Sequence, residues 1–161
     1  MTFALASPAF NDRSPIPTRF TCDGTDVSPP LAILDPPPKA LSLALICDDP
    51  DAPGGTFVHW VLYNLPPDMR SLPEGIPAFE VLRELGGARQ GKNDFGRVGY
   101  GGPCPPRGKP HRYEFRLSAL DVFLPLKGAP TKADVERAME GHVLGSSRLI
   151  GVYERGVRSK E

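Results

Sequence analysis

Leu41-Ser42-Leu43-Ala44-Leu45-Ile46-Cys47 is the stretch on which the fold turns. It is a continuous apolar run, long enough for a buried strand and short for a helix. An acidic, turn-forming cluster follows at once, Asp48-Asp49-Pro50-Asp51-Ala52-Pro53. Next comes Phe57 to Leu65, rich in β-branched and aromatic residues and so a second strand. Further out, Arg112-Tyr113-Glu114-Phe115-Arg116-Leu117 alternates polar and apolar residues, the period-two signature. Leu149 to Tyr153 reads as a short closing strand. Turn-rich segments separate these runs: Ser28-Pro29-Pro30, Asp35 to Pro38, Asp49 to Gly55, and Gly86 to Pro110. One helix is credible, with Thr131 as cap, Asp134 three positions on, Pro130 before it and Gly141 as its stop. A second helical piece from Ser71 to Leu85 is interrupted by Pro73 and Pro77. The pattern predicts a mainly β domain, a sandwich of antiparallel sheets with one or two short helices, as a single domain over residues 1–161.

The 161 residues carry 19 basic and 19 acidic side chains, which argues against nucleic acid as partner, since that needs a strongly basic face. The charge is uneven along the chain. Residues 21–85 hold three basic and ten acidic side chains, and residues 86–116 hold seven basic and two acidic ones. Such a stretch is either a solvated loop face or a local field that attracts an anion. The 20 prolines and 17 glycines punctuate apolar runs rather than forming one tract, which speaks against disorder. Cys22, Cys47 and Cys104 are odd in number and lack paired spacing, so the reading is against a disulfide framework or zinc ribbon. No signal peptide or membrane span shows at Met1-Thr2-Phe3-Ala4-Leu5 or elsewhere, and a reducing, cytoplasmic home is expected by default.

Two histidines stand where chemistry could be done. Period-two alternation puts Phe57, His59, Val61 and Tyr63 on one face, and His111, Tyr113, Phe115 and Leu117 on one face of another strand. A lone histidine in such company is most simply a core residue satisfied by one hydrogen bond. Two of them, each beside a Pro/Gly-rich loop, point to a site. One acid of the Asp48-Asp49-Pro50-Asp51 cluster can accept a hydrogen bond from a histidine, fixing its tautomer and favouring its charged form. A protonated imidazole donates from both nitrogens, as an anion requires. The loop Gly99-Tyr100-Gly101-Gly102-Pro103-Cys104-Pro105-Pro106 has glycines that let backbone N–H groups approach a ligand and prolines that stiffen its rim. Three alternatives are weaker. Gly86 to Asn93 approaches a P-loop, but Asn93 stands where Ser or Thr should be and no helix follows. Gly145-Ser146-Ser147 lacks the spacing of a nucleophile elbow. His59, His111 and an Asp could form a two-histidine, one-carboxylate metal set, but no His pair is held in local register.

Asp49-Pro50-Asp51-Ala52-Pro53, His59-Trp60-Val61-Leu62-Tyr63-Asn64-Leu65-Pro66 and Gly102-Pro103 with His111-Arg112-Tyr113 together resemble the phosphatidylethanolamine-binding protein family, also called Raf-kinase-inhibitor-like. Cys22-Asp23-Gly24, Ser28-Pro29-Pro30-Leu31 and Asn93-Asp94-Phe95-Gly96 leading to Gly99-Tyr100-Gly101-Gly102-Pro103 resemble its prokaryotic branch. The resemblance implies a two-sheet β-sandwich with a small anion cavity at one end and cis peptide bonds to proline nearby. It implies Asp49, His59, Gly102, Pro103, His111 and Tyr113 as the cavity residues, with Asp51 and Trp60 beside them. It further implies phosphate, acetate or phosphoethanolamine-like ligands and, in eukaryotic relatives, kinase or protease regulation; no cofactor is expected. A homodimer fits the prokaryotic branch. The short stretch from Asp51 to His59 departs from animal relatives, so their lipid and kinase contacts are not carried over. The functional expectation is non-catalytic anion binding, with a hydrolase or metal-dependent enzyme using His59 and His111 as the alternative. Whether Asp49 or Asp51 orients the histidines stays open at this point.

Overall fold

The run around Leu41 becomes a central strand because it is buried at every position from Ser42 to Asp49. Such a strand needs cover on both faces, and the rest of the chain supplies it. The structure, a computed structural model, describes residues 2–156. Its strands among those residues are β1 (Ala4–Ala6), β2 (Ser14–Pro15), β3 (Leu31–Leu34), β4 (Ser42–Asp49), β5 (Phe57–Leu65), β6 (Ser71–Leu72), β7 (Val81–Leu82), β8 (Ala88–Gln90), β9 (His111–Leu120) and β10 (Val143–Tyr153), with helix α1 (Lys132–Met139) between β9 and β10. A seven-stranded sheet runs β2-β10-β9-β4-β5-β8-β7, and a three-stranded sheet runs β1-β3-β6. Pairing is antiparallel except for β2 against β10. The fold is therefore the expected mainly β sandwich.

The main core lies between the sheets. Leu5, Leu31, Ile33 and Leu72 of the small sheet meet Leu43, Leu45, Trp60, Leu62, Phe115 and Leu117 of the large one. Each such side chain contributes about 1.5–3 kcal/mol on burial. On the other face of the large sheet, Ala44, Ile46, Val61 and Tyr63 pack under Val135 and Met139 of α1. Those two helix residues are four apart and so share one face. The helix starts as its sequence suggests. Asp134 N donates to Thr131 Oγ1 at 3.2 Å, and Thr131 N donates to Asp134 Oδ2 at 3.0 Å, a complete capping box worth about 1 kcal/mol.

Strand β5 departs from simple alternation where it matters most. Trp60 pairs with Cys47, but Val58 pairs with Asp48, so His59 is an extra residue in a β-bulge. The bulge reverses the parity of the strand. Phe57 and His59 lie on one side, yet Val61 and Tyr63 belong to the opposite core and Trp60 and Leu62 to the main one. The single face expected for Phe57, His59, Val61 and Tyr63 thus breaks at His59.

Other expectations are also corrected. The helical piece from Ser71 to Leu85 is instead β6, β7 and one 3₁₀ turn at Arg83–Leu85, because Pro73 and Pro77 leave no room for a helix. The near P-loop at Gly86 to Asn93 contains β8 and no helix opens after it, in line with the reading against a P-loop. Every described peptide bond is trans, against the implied cis prolines.

A two-histidine cavity as candidate functional site

Where β4, β5 and β9 end together, the main core gives way to a cavity of about 170 Å³. Asp49 closes β4, Phe57 and His59 open β5, and His111 and Tyr113 open β9. The antiparallel order brings these three ends to the same edge of the sandwich. The turn residues Ala52 and Pro53, Phe95, and Cys104-Pro105-Pro106 complete the lining.

Both imidazoles are held by one nitrogen. His111 Nδ1 donates to Asp49 Oδ2 at 2.6 Å, and His59 Nδ1 donates to the Gly101 carbonyl at 2.6 Å. A carbonyl only accepts, so His59 Nδ1 must carry its hydrogen. Both rings are nearly buried, and in both Nε2 has no partner among the described residues. Tyr113 is 1% exposed, and its hydroxyl is a buried polar atom without a hydrogen-bond partner among the described residues, the Asp49 carboxylate acting on it by charge. An orphaned hydroxyl of that kind costs about 1–3 kcal/mol, so something must meet it for the site to be satisfied. The His59 ring is fenced edge-on by Tyr113 at 5.2 Å and Phe95 at 5.4 Å.

Burial drives the electrostatics. It lowers the His59 pKa below the ordinary histidine value, against the opposing pull of the Gly101 hydrogen bond and of Asp49, Asp48 and Asp26. It raises the Tyr113 hydroxyl, with the Asp49 carboxylate adding to the effect. Tyr113 therefore stays a neutral donor.

The question left between the two acids is resolved by their partners. Asp49 holds His111 through Oδ2 and accepts Asp51 N at 2.7 Å through Oδ1. Asp51 instead grips Arg112, accepting its N and Nε at 2.9 Å each and its Nη2 at 2.8 Å. Arg112 thereby holds the Asp51 carboxyl down to about 2. Trp60, expected beside the cavity, is fully buried in the core and donates its Nε1–H to Gln90 Oε1 at 2.7 Å. Gly102 and Pro103 do not line the cavity either. Gly102 N donates to Asp26 Oδ1 at 2.8 Å, and Pro103 O accepts Cys22 N at 3.1 Å. A Cβ on Gly102 would come within 2.3 Å of the Phe20 carbonyl, so glycine serves close packing there rather than ligand approach. Gly101 is likewise forced, since a Cβ would meet the Phe95 ring at 2.5 Å.

Sequence reasoning missed the supports. Asp94 accepts Val58 N at 2.7 Å and so presses Phe95 against the site. Asn93 gathers the same loop by accepting Phe95 N and Arg97 N and donating to Gly99 O. Cys22 and Cys104 form a disulfide across 82 residues, which corrects the expectation against disulfide pairing. The odd count hid the pair because the third, Cys47, is a buried core residue. The disulfide also removes the cysteine-based argument for a reducing compartment. Among the described residues no group of three His, Cys, Asp or Glu side chains could hold a metal ion, so the two-histidine, one-carboxylate alternative lacks its geometry. No helix among them is long and apolar enough to cross a membrane. A larger groove of about 710 Å³ runs along Pro73 to Leu85, but it holds neither a histidine nor an orphaned donor.

A sandwich whose strand ends converge on two tautomer-fixed histidines defines the class of site, and comparison with known proteins gives the family. Residues 6–154 match the phosphatidylethanolamine-binding protein family, and the chain belongs to it. It is 55% identical to a UPF0098 protein of Methanothermobacter thermautotrophicus over 152 residues, covering 94% of this chain and 99% of that one. It is 45% identical to a UPF0098 protein of Chlamydia muridarum, covering 94% and 98% of the two chains. Among solved structures, it is similar to the homolog CT736 of Chlamydia trachomatis, at 41% identity and a TM-score of 0.86 over 96% of this chain and 98% of that one. YbcL of E. coli, described as a member of the mammalian PEBP family, gives 31% identity and a TM-score of 0.88 over 96% and 99%.

Proposed function

We propose that the chain is a non-catalytic binding module that holds a small anion, phosphate or the phosphate of a phosphorylated headgroup, between His59, His111 and Tyr113. The observation that carries this reading is the orphaned Tyr113 hydroxyl, in a cavity lined also by His59 and His111, whose Nδ1 atoms are already fixed. Each charge-assisted hydrogen bond to the anion contributes about 1.5–3 kcal/mol. The volume of about 170 Å³ equals a handful of waters at about 30 Å³ each, which suits a phosphate group and leaves an acyl chain outside. Asp49 sits behind His111 and orients it without facing the ligand charge alone. The cavity lining contains no serine, and the Cys104 sulfur is bound in the disulfide, which leaves the hydrolase alternative without a serine or cysteine nucleophile there.

The test is a titration with phosphate and with phosphoethanolamine, following the histidine ring signals by NMR in wild type, His59→Ala and His111→Ala. Saturable shifts at both rings, weakened in each variant, with the ligand intact afterwards, are expected. No shift in the folded wild type contradicts the reading, and released product moves the protein among the enzymes.

A further inference from the structure

We propose that the cavity selects anions that carry a proton of their own, phosphate or a phosphate monoester as the monoanion, over anions with none to give, such as sulfate or a phosphodiester. The inference rests on the anion-binding reading above and adds to it the protonation state of the ligand.

His59 Nδ1 lies 2.6 Å from the Gly101 carbonyl, so its hydrogen is committed there in every charge state. The Gly101 amide returns a bond to the His59 carbonyl at 3.0 Å, which fixes the pair on both sides. In the neutral ring, Nε2 is then a bare lone pair on a ring that lines the cavity. His59 is 4% exposed and ringed by Phe57, Phe95 and Tyr113, surroundings that penalise a charge. The Tyr113 hydroxyl is the opposite case, a buried donor with no acceptor. His111, backed by the Asp49 carboxylate, supplies a second donor when it is protonated. The cavity thus offers donors on the β9 side and an acceptor on the β5 side. A monoanionic phosphate fits this division: its bare oxygens accept from Tyr113 and His111, and its P–OH donates to His59. A fully deprotonated oxygen facing His59 would meet lone pair with lone pair.

The charged groups around His59 do not reverse this. Asp49 lies on β4, Asp48 turns to the other face of that strand, and Asp26 is occupied by the Gly102 amide. All three pull towards a protonated ring, yet burial outweighs them and the His59 pKa is lowered. The Arg97 guanidinium sits over the Phe95 ring, 5.4 Å from its centroid, and the Asp51–Arg112 pair bonds within itself.

The experiment is calorimetric titration of the whole chain with phosphate, phosphoethanolamine, glycerophosphoethanolamine and sulfate between about pH 5 and pH 8, where phosphomonoesters pass from dianion to monoanion as the pH falls. Buffers of different ionisation enthalpy report the protons taken up on binding. Phosphate and phosphoethanolamine are expected to bind about ten- to a hundredfold more tightly than sulfate or the diester, the loss when a buried acceptor is left unpaired. Their affinity should fall about tenfold per pH unit once the monoanion is the minor form, while sulfate stays weak throughout. His59→Gln, whose amide offers either a donor or an acceptor, should bring the phosphate-to-sulfate ratio towards one. Sulfate binding as tightly as phosphate overturns the proposal. So does sulfate binding that strengthens in parallel as the pH falls in a His111→Gln variant, where His111 cannot supply the donor, because the proton would then sit on His59. If none of the four anions binds, the anion-binding reading itself fails. The phosphoethanolamine and free-phosphate arms separate a headgroup from the inorganic ion, and the wild-type panel decides the matter even if the variant does not fold.

Discussion

Asp48 and Asp49 are neighbours on β4, both buried, and they point to opposite faces of the same sheet. Asp48 meets Lys132 of α1, whose Nζ donates to it at 2.5 Å. Asp49 meets His111 at 2.6 Å. The first pair is closed: a full cation cancels a full anion and anchors the helix to the sheet. The second is open, because the imidazole keeps a second nitrogen for a ligand. A buried carboxylate is costly on either face. What separates a structural pair from a functional one is whether the partner has anything left to offer.

That contrast can be broken in several places. The largest effect is expected from Lys132→Met, which strands Asp48 and should cost about 3–5 kcal/mol in urea unfolding. The folded fraction should still bind phosphate with wild-type affinity, and loss of binding would mean that the two faces are not independent. Removing the disulfide by Cys22→Ser with Cys104→Ser should lower stability by about 2–4 kcal/mol, read from the thermal midpoint with and without reductant in the wild type. Asp49→Asn is expected to act on binding rather than folding. Asparagine can present a donor or an acceptor to His111, so the ring is no longer held in one tautomer, and phosphate affinity should drop about tenfold. Tyr113→Phe should weaken phosphate about three- to tenfold while leaving the ligand-free protein at least as stable as before, since the hydroxyl removed has no partner among the described residues. The smallest signal is in pH. The folded chain holds the His59 proton less tightly than the unfolded chain, whose histidines titrate near about 6.5. Stability should be complete above that value and decline as the pH falls below it, with the slope reduced in His59→Gln.

The sequence showed the frame of this arrangement and lost its details at identifiable points. Leu41 to Cys47 and the alternation after His111 depend on hydrophobic period, a local property, and both strands are where that period puts them. The helix after Thr131 was legible for the same reason, through its cap. The bulge at His59 was not, because a one-residue register shift is decided by the partner strand and leaves no mark on composition. That shift is what brings His59 and Trp60 to one face and commits Trp60 to Gln90. Of the expected cavity residues, Asp49, His59, His111 and Tyr113 converge, while Asp51, Trp60, Gly102 and Pro103 do other work nearby. The glycine-proline loop is tied to the chain from Phe20 to Asp26 through the Tyr100 hydroxyl, the Gly102 amide and the Pro103 carbonyl, a contact between segments about eighty residues apart. No spacing rule reaches that far, and the same distance concealed the disulfide.

The most direct test of the account is a crystal structure with phosphate at neutral pH. The account predicts one tetrahedral anion in the cavity, within hydrogen-bond reach of His59 Nε2, His111 Nε2 and the Tyr113 hydroxyl, with Nδ1 of each ring still on Gly101 and Asp49. An empty cavity at saturating phosphate, or an anion bound elsewhere with the Tyr113 hydroxyl still unpaired, would contradict it.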